Sequence, residues 1–566
     1  FTFAMLMLVM ADNLVQLFFG WEAVGLASYL LIGFWYDRPA AVTASTRAFL
    51  INRVSDAVFV VGIGLLFSVA GSFRFADLFA ARHEMAAMML PGTHWHLITV
   101  ACLCLFAGAM GKSAQFPLHV WLPGSMEGPT PVSALIHAAT MVTAGIFMVA
   151  RLSPLFELSD TVLSLMLVIG ALTAFFMGLV AMTQNDIKQV IAYSTISQLG
   201  YMTLALGASA YSAALFHLTT HAFFKALLFL AAGVVILGMN HDQDIRNMGG
   251  LRRYMPVTWL TALVASLSLA GVPFFSGFYS KDGIIMALQN STLPGSGAAL
   301  VVAYLGLFVT AFYTFRLFFL VFHGKERFGR YLPTPAFAPE AGPDEPVGLS
   351  PGEKPHNSPR VMTIPLVLLA IPAFLIGGWL VGPMLFGDFL AGSLYTDTAR
   401  HIAQPMAAYA SGSFVMALHG LFSLPFFLML AGAGIAAWFY LVDPRLPKGL
   451  ANALPVLHRL LLNQYYLLTI IQKLLTSGAW FSKGLLALGR FSNFGESIIT
   501  RLALALGRGF WKIGEIRLLD GFIVTGSAKL IAGFSGIIRH IQSGRLYHYA
   551  FVMIFGLLCF LLYFCR

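Results

Sequence analysis

Lysine residues in this sequence stand at interruptions of apolar runs, where charge is costly. Lys112 is followed five residues later by Pro117, and Lys281 comes after the interruption at Gly271-Val272-Pro273. A charged amine in hydrocarbon costs roughly 2.5–3.5 kcal/mol on insertion scales, so a lysine kept beside a broken helix predicts a functional site, here one that moves ions. The structural alternative is a lysine that extends its ammonium to the lipid headgroups.

Acidic and histidine side chains lie in apolar segments on both sides of Lys112. Glu22 is in one such segment, Arg53 and Asp56 are three residues apart on one face of the next, and His137 lies in a run of small residues downstream. One such group alone is compatible with a structural role. Together they indicate a hydrated path for protons.

A stripe of basic residues follows further along the chain. His217, His221 and Lys225 are spaced by four residues, which places them along one side of a single helix. The two histidines have the spacing of a zinc site, but Leu218 stands where the His-Glu-x-x-His motif needs glutamate. The lysine would also repel a metal ion, so we expect no metal here.

These residues must be positioned by membrane helices. The chain is 58% hydrophobic and 10% charged, and apolar runs of about 20 residues recur from end to end, which excludes a single soluble domain. The net charge of +10 is explained by loop residues that set orientation and meet anionic lipid, so nucleic acid is not an expected partner. The predicted spans are near 1–11, 14–36, 47–70, 97–116, 130–151, 160–182, 190–207, 212–238, 256–290 with a break near Pro273, 298–322, 361–382, 415–441 and 547–565.

Two regions differ from the spans. The stretch from Gly324 to Arg360 is rich in proline, which predicts an extramembrane loop without helix in its interior. From Pro455 to about Arg545, basic residues punctuate apolar groups and no interior proline occurs, which is typical of helix lying in the membrane interface. The alternative for this tail is a set of separate surface helices bound only to lipid.

The sequence predicts no redox cofactor or nucleotide bound to this chain. It has neither a phosphate-binding loop nor a glycine-rich dinucleotide motif in the required context. Its cysteines lack the spaced loop positions of iron–sulfur ligands and are interpreted as small hydrophobic residues: Cys102, Cys104, Cys559 and Cys565.

Several longer motifs allow a comparison with known families. They are Ala11-Asp12-Asn13-Leu14, Gly20-Trp21-Glu22, Gly111-Lys112-Ser113-Ala114-Gln115, Trp121-Leu122-Pro123, Asn185-Asp186-Ile187-Lys188, Ala192-Tyr193-Ser194-Thr195 and the run from Gln243 to Leu251. Together they resemble the antiporter-like subunit L family (mitochondrial subunit 5) of proton-pumping NADH:quinone oxidoreductase, complex I. The resemblance covers the chain from Phe1 to about Val442 and returns at Tyr547.

The resemblance implies an all-α polytopic membrane protein with inverted repeats of five transmembrane helices, broken at equivalent places, a long amphipathic lateral helix and a final transmembrane helix. Relative to the family, Phe1 falls inside the fourth transmembrane helix, so we expect an N-terminal piece to be missing. The expected parts are a first repeat at 1–151, a second repeat at 152–322, an extramembrane loop at 323–360, additional transmembrane helices at 361–454, the lateral helix region at 455–545 and the C-terminal helix at 546–566.

The resemblance also implies roles for the ionisable residues. Glu22 resembles the family's interfacial glutamate, Lys112 its pumping lysine and Asp56 an aspartate close to both. Desolvation disfavours a charged lysine and a nearby carboxylate favours it, so we expect Glu22 and Lys112 to form a switching pair.

The remaining candidates are assigned from the same resemblance. His137 would link the two halves, and Lys281 with Asp282 would be the distal lysine and its neighbour. The central relay would consist of His217, His221 and Lys225.

The family comparison further implies partners and location. NADH, flavin, iron–sulfur clusters and quinone are expected in partner subunits, the adjacent antiporter-like subunits are the expected neighbours, and the bacterial inner membrane is favoured over the mitochondrial one. The alternative is the large subunit of a multisubunit sodium/proton antiporter. Many relatives carry lysine at the position of Thr143, whereas subunit L has an uncharged residue there. After Tyr466 the tail departs from the family pattern with an apparent insertion.

Overall fold

The structure, a computed structural model, describes residues 1–329, 347–356, 359–395, 412–477, 504–541 and 546–564. Regular secondary structure in these ranges is helical, and β-pairing is limited to isolated bridges between loops. The fold is therefore all-α, as predicted. The chain divides into two compact units, Phe1–Leu468 and Thr469–Arg566.

Two groups of helices make up most of the first unit. The first group comprises α1 (Thr2–Val9), α2 (Leu14–Ile32), α3 (Pro39–Ala70), the short α4 (Phe75–Ala80) and α5 (Arg82–Ala87), α6 (Leu97–Lys112), α7 (Thr130–Ala138) and α8 (Ala144–Arg151). After the short α9 (Ser153–Phe156), the second group comprises α10 (Asp160–Ala181), α11 (Ile187–Gly207), α12 (Tyr211–Gly238), α13 (Pro256–Ala270), α14 (Ser276–Asn290) and α15 (Ser296–Phe322).

Each group contains a passage that is broken beside a lysine, as predicted. In the first group α6 ends at Lys112, and the chain continues through 3-10 turns at Leu118–Trp121 and Pro123–Glu127. In the second group α13 ends at Gly271, which adopts a left-handed φ of 85° that favours glycine, and α14 begins after the intervening turn. At the breaks, carbonyl groups in the last turns of α6 and α13 accept hydrogen bonds from outside the helix, Gly111 from the Trp121 indole and Leu269 from Lys281.

Several of the helices are suited to a membrane. Eight helical stretches of the described residues are long and apolar enough to cross one, and α6 and α13 are shorter apolar helices because they stop at the breaks. Helix starts follow local sequence: the Asn13 side chain accepts a hydrogen bond from Gln16 N over 2.7 Å and the Asp186 side chain from Gln189 N over 2.9 Å.

The centre of the second group is α11. Every residue of this helix except Gln189 is buried, and it packs along α10 and against α12, α14 and α15. The side chains of a purely apolar helix at this position would need no hydrogen-bond partners, but α11 contains serine, threonine and glutamine. Its polar groups are therefore placed toward neighbouring helices that carry the candidate residues.

Further helices follow the second group. These are α16 (Arg360–Val381), which contains Pro365 and Pro372 and ends in a π-helical turn, α17 (Ser413–Gly420) and α18 (Leu424–Ala437). The single span predicted at 415–441 is divided in two, because Ser423 caps α18 and Pro425 lies in its first turn. In the proline-rich loop, 330–346 and 357–358 lie outside the described residues; His356 N donates to Gly238 O over 3.0 Å.

The tail contains α19 (Leu446–Ala453), α20 (Pro455–Leu462) and α21 (Leu467–Ser477), then a π-helical segment at Phe510–Val524, α22 (Thr525–Ile541) and α23 (Leu546–Phe564). The helix predicted from 455 is interrupted by consecutive left-handed residues, Gln464, Tyr465 and Tyr466, with φ of 54°, 59° and 55°. The Tyr465 hydroxyl donates to Phe176 O over 3.2 Å. Residues 478–503 and 542–545 of the predicted lateral helix lie outside the described ranges.

Candidate functional site

Lys112 is buried at the end of α6, with 1% of its side chain exposed. Its Nζ lies 3.5 Å from Oδ2 of Asp56 on α3, which is equally buried, and the Trp21 indole donates to the other Asp56 oxygen over 2.6 Å. The carbonyl end of a helix also carries partial negative charge. Asp56 is therefore the carboxylate that contacts the Lys112 ammonium.

Glu22 occupies a different position from the one predicted. Its carboxylate forms an ion pair with Arg53, one turn before Asp56 on α3. The carboxylate that contacts Lys112 is therefore that of Asp56, and the switching role expected for Glu22 stays a prediction. Since α3 packs along α6, it is Asp56 that reaches Lys112, and Glu22 acts from behind Arg53.

The space around the Lys112 ammonium is limited. A methyl group at Gly25 of α2 would lie 2.6 Å from Lys112 Nζ, so the glycine leaves the volume that the ammonium occupies. The Trp21 ring lies below, with its centroid 5.8 Å from the same Nζ. The position of this charge is thus determined by α2 as well as by α3.

His137 is fully buried near the end of α7. Its Nε2 lies 2.9 Å from Ser125 Oγ, and the chain then breaks before a 3-10 turn at Met141–Thr143. The break leaves the Ala138 carbonyl free, and it lies 2.8 Å from His221 Nδ1 on α12. The first group therefore meets the central stripe through the backbone beside His137. Thr143, at the position of lysine in many relatives, is buried and donates to the Thr140 carbonyl over 2.9 Å.

The α12 stripe is buried and forms hydrogen bonds with neighbouring helices, although His221 Nε2 has no hydrogen-bond partner among the described residues. Lys225 Nζ donates to Ser194 Oγ of α11 over 2.6 Å. His217 Nε2 lies 3.2 Å from Gln198 Oε1, and its Nδ1 lies 2.9 Å from Ser280 Oγ of α14. Because the amide oxygen accepts at Nε2, a neutral His217 accepts from Ser280 at Nδ1. His217 thus joins α11 to the helix that carries the distal lysine.

Lys281 follows Ser280 on α14 and is 3% exposed. Its ammonium donates to the carbonyl of Leu269, in the last turn of α13. Lys281 and Asp282 also line a cavity of about 20 Å³ with Gly271, which is enough for one water molecule. Lys281 therefore contacts the carbonyl end of a half-helix, whereas Lys112 contacts the Asp56 carboxylate.

Some members of this path have no charge and were not identified from the sequence. Ser125, Ser194, Gln198 and Ser280 supply the hydrogen bonds between the ionisable groups. Hydroxyl and amide side chains are common in helices, so none is distinctive alone. The density of polar residues from Ser194 to Gln198 within an otherwise apolar span was the available signal.

Comparisons with known proteins identify the family of this chain. Residues 11–308 match the family model described as NADH:quinone oxidoreductase/Mrp antiporter, transmembrane. The chain is 52% identical over 567 residues to the NADH-quinone oxidoreductase subunit L of Neisseria meningitidis serogroup A, covering 99% of this chain and 80% of that protein. It is 40% identical to subunit L of Rhodobacter capsulatus, with 100% and 82% covered, and 40% identical to the NADH-ubiquinone oxidoreductase chain 5 of Marchantia polymorpha, with 99% and 78% covered.

Solved structures show the same fold. A chain of the Mrp complex from Dietzia sp. DQ12-45-1b matches with a TM-score of 0.64 at 25% identity, over 85% of this chain and 48% of that one. A chain of the membrane-bound sulfane sulfur reductase, an archaeal respiratory membrane complex, matches with a TM-score of 0.55 at 24% identity, over 69% and 76%. From the family match, the curated relatives and the broken helices together, this chain belongs to the NADH:quinone oxidoreductase/Mrp antiporter family and groups with its subunit L members.

Proposed function

We propose that this chain, as a proton-translocating membrane subunit of NADH:quinone oxidoreductase, carries protons along the buried path from Asp56 and Lys112 through His137 and the α12 stripe to Lys281. The observation that carries this proposal is the burial of Lys112, Lys225 and Lys281 among hydrogen-bonding groups. Buried amines of this kind are expensive in a membrane protein and are typical of ion pathways.

The mechanism that we propose is electrostatic. The Arg53 cation, held by Glu22, acts on both Asp56 and Lys112. A conformational change that separates Glu22 from Arg53 therefore changes how strongly Lys112 holds its proton. In this mechanism the proton moves next to His137 and then to the α12 stripe. At both places a serine hydroxyl contacts an imidazole nitrogen.

Redox chemistry belongs to partner subunits in this proposal. NADH, flavin, iron–sulfur clusters and quinone would bind there, and this chain would contribute the path for protons. Iron and flavin analysis of the purified chain tests this part, and a stoichiometric amount of either one would contradict it.

The partner surface that we propose lies on α2 and α3. Arg53 is 41% exposed and Glu22 21% exposed near the middle of these helices, beside the exposed side chains of Phe19 and Val54. Lipid would not cover a charged pair at this depth without cost, so a neighbouring antiporter-like subunit is the expected occupant. A cysteine at Val54 should cross-link to that subunit, whereas one at exposed Val301 on α15 should not.

The orientation that we propose follows the distribution of basic residues. One membrane side holds the end of α2, the start of α3 and the loops before α13 and after α15. Among the described loops, that side carries most of the basic residues: Arg38, Arg246, Arg252, Arg253, Lys325, Arg327 and Lys354. By the positive-inside rule this side is cytoplasmic, in a bacterial inner membrane.

Substitution of Lys112 by alanine tests the function. We expect NADH-driven proton translocation by the reconstituted complex to fall far more than the yield of assembled complex. The reason is that a proton-carrying charge is removed without loss of a large packing contact. Lys112→Arg should not restore it, since a guanidinium does not release its proton at working pH. Lys354→Ala, in an exposed loop, is the matched control. Unchanged pumping by Lys112→Ala would overturn the proposal, and sodium transport that survives without quinone reduction would favour the antiporter alternative.

A further inference from the structure

A cavity on the basic side of the first group has no role in the path described so far. It has a volume of about 380 Å³ and is lined by the first turns of α3, from Pro39 to Arg47, and by Gly124 and Glu127. This is ample room for several water molecules. Glu127 lines this cavity and is half-buried.

The segment that carries Glu127 also contacts the buried path. Pro123–Glu127 is a 3-10 helix, in which residues three apart lie on one face. Gly124 and Glu127 accordingly both line the cavity, whereas Ser125 is turned away from it and lies 2.9 Å from His137 Nε2. One turn of backbone thus separates the cavity from His137.

A buried cation lies at the same place. Lys188, at the start of α11, is fully buried and donates to the carbonyl of Gly128, the residue after Glu127, over 2.9 Å. Its charge acts on both the Glu127 carboxylate and the His137 imidazole. A positive charge near these groups favours an ionised carboxylate and opposes a second positive charge on the imidazole.

We propose that Glu127 is a proton-loading residue that takes protons from the cavity and passes them toward His137. A hydronium ion in the cavity gives its proton to a carboxylate oxygen of Glu127. Water that enters at this turn carries the proton from Glu127 to the Ser125 hydroxyl, which passes its own proton to His137, and Glu127 is ionised again. His137 Nδ1 has no hydrogen-bond partner among the described residues, which leaves this nitrogen open to exchange a proton onward. This inference rests on the proposed function and adds an entrance that joins its path at His137, after Lys112.

The test uses the whole complex in proteoliposomes, with proton uptake measured against NADH oxidation. We expect Glu127→Gln to lower proton translocation roughly tenfold or more, as for loss of a positioned proton-transfer group, and Glu127→Asp to restore most of it. Asp388→Asn removes an exposed carboxylate away from the cavity and is the control. If Lys112→Ala abolishes pumping while assembled Glu127→Gln pumps at the parent rate, the entrance is wrong and the proposed function stands.

A second variant does not depend on the carboxylate. Thr43 is exposed on the cavity wall, so Thr43→Trp should narrow the cavity beside Glu127, displace water and lower pumping. Val42 is 42% exposed and does not line the cavity, so Val42→Trp is the matched control. Parent-level pumping by assembled Thr43→Trp would overturn the proposal even if Glu127→Gln failed to assemble.

Discussion

Exchange of Asp56 for asparagine is the most direct test of how Lys112 is controlled. Asp56 and Lys112 lie 3.5 Å apart and are both almost completely buried. Two unit charges at this distance interact by about 5 kcal/mol at an effective dielectric constant of roughly 20. Asp56→Asn keeps the shape and the Trp21 contact but removes this attraction, so Lys112 should hold its proton much less tightly and pumping should fall.

The assay is a double-mutant cycle on reconstituted complex, with proton translocation measured for Asp56→Asn, Lys112→Ala and the double variant. Residues in contact give coupling energies of roughly 0.5–3 kcal/mol, so the double variant should lose less than the sum of the single losses. The same cycle with Glu22→Gln should give a smaller coupling, because Arg53 stands between Glu22 and Lys112. A Glu22 coupling equal to or larger than the Asp56 coupling would refute this reasoning.

Three further variants test other parts of the structure. Gly25→Ala should displace the Lys112 ammonium and lower pumping in an assembled complex, whereas Gly64→Ala on α3, where nothing lies within 4 Å of the added methyl, should not; equal pumping would show that the site tolerates the methyl. Ser280→Ala should slow translocation with little loss of stability, because it removes the hydrogen bond between the α12 stripe and α14; a parent rate would exclude this connection. Truncation before Asn463 should release partner subunits, since an amphipathic helix binds in proportion to its apolar area, and intact assembly would favour a tail bound only to lipid.

Charge and helix breaks were predictable because each has a large energetic signature. A lysine in an apolar run is rare, and Gly271 with Pro273 cannot continue a helix, so the broken passage beside Lys281 follows from the sequence alone. The α12 stripe follows from the helical period for the same kind of reason. These features are local, and local features are what one sequence specifies.

The pairing of charges was not predictable, because it depends on which helices pack together. Glu22 and Asp56 are both carboxylates within reach of Lys112 in any sequence-based topology. In the structure α3 packs along α6, which brings Asp56 to Lys112, and Arg53 forms an ion pair with Glu22. The left-handed turn at Tyr465 was missed for a related reason, since none of its residues is glycine.

The two lysines at the helix breaks differ in the group that their ammonium contacts. Lys112 faces a carboxylate, which can itself be neutralised by a proton, whereas the Lys281 ammonium donates to a backbone carbonyl, which cannot. The electrostatic potential at Lys112 therefore depends on whether the carboxylate is ionised or neutral. The potential that the carbonyl produces at Lys281 stays constant. Under the proposed function, the partner of Lys112 can change its charge whereas the carbonyl that Lys281 contacts cannot, so the direction of proton flow can arise from the partner of one lysine rather than from any asymmetry of the fold.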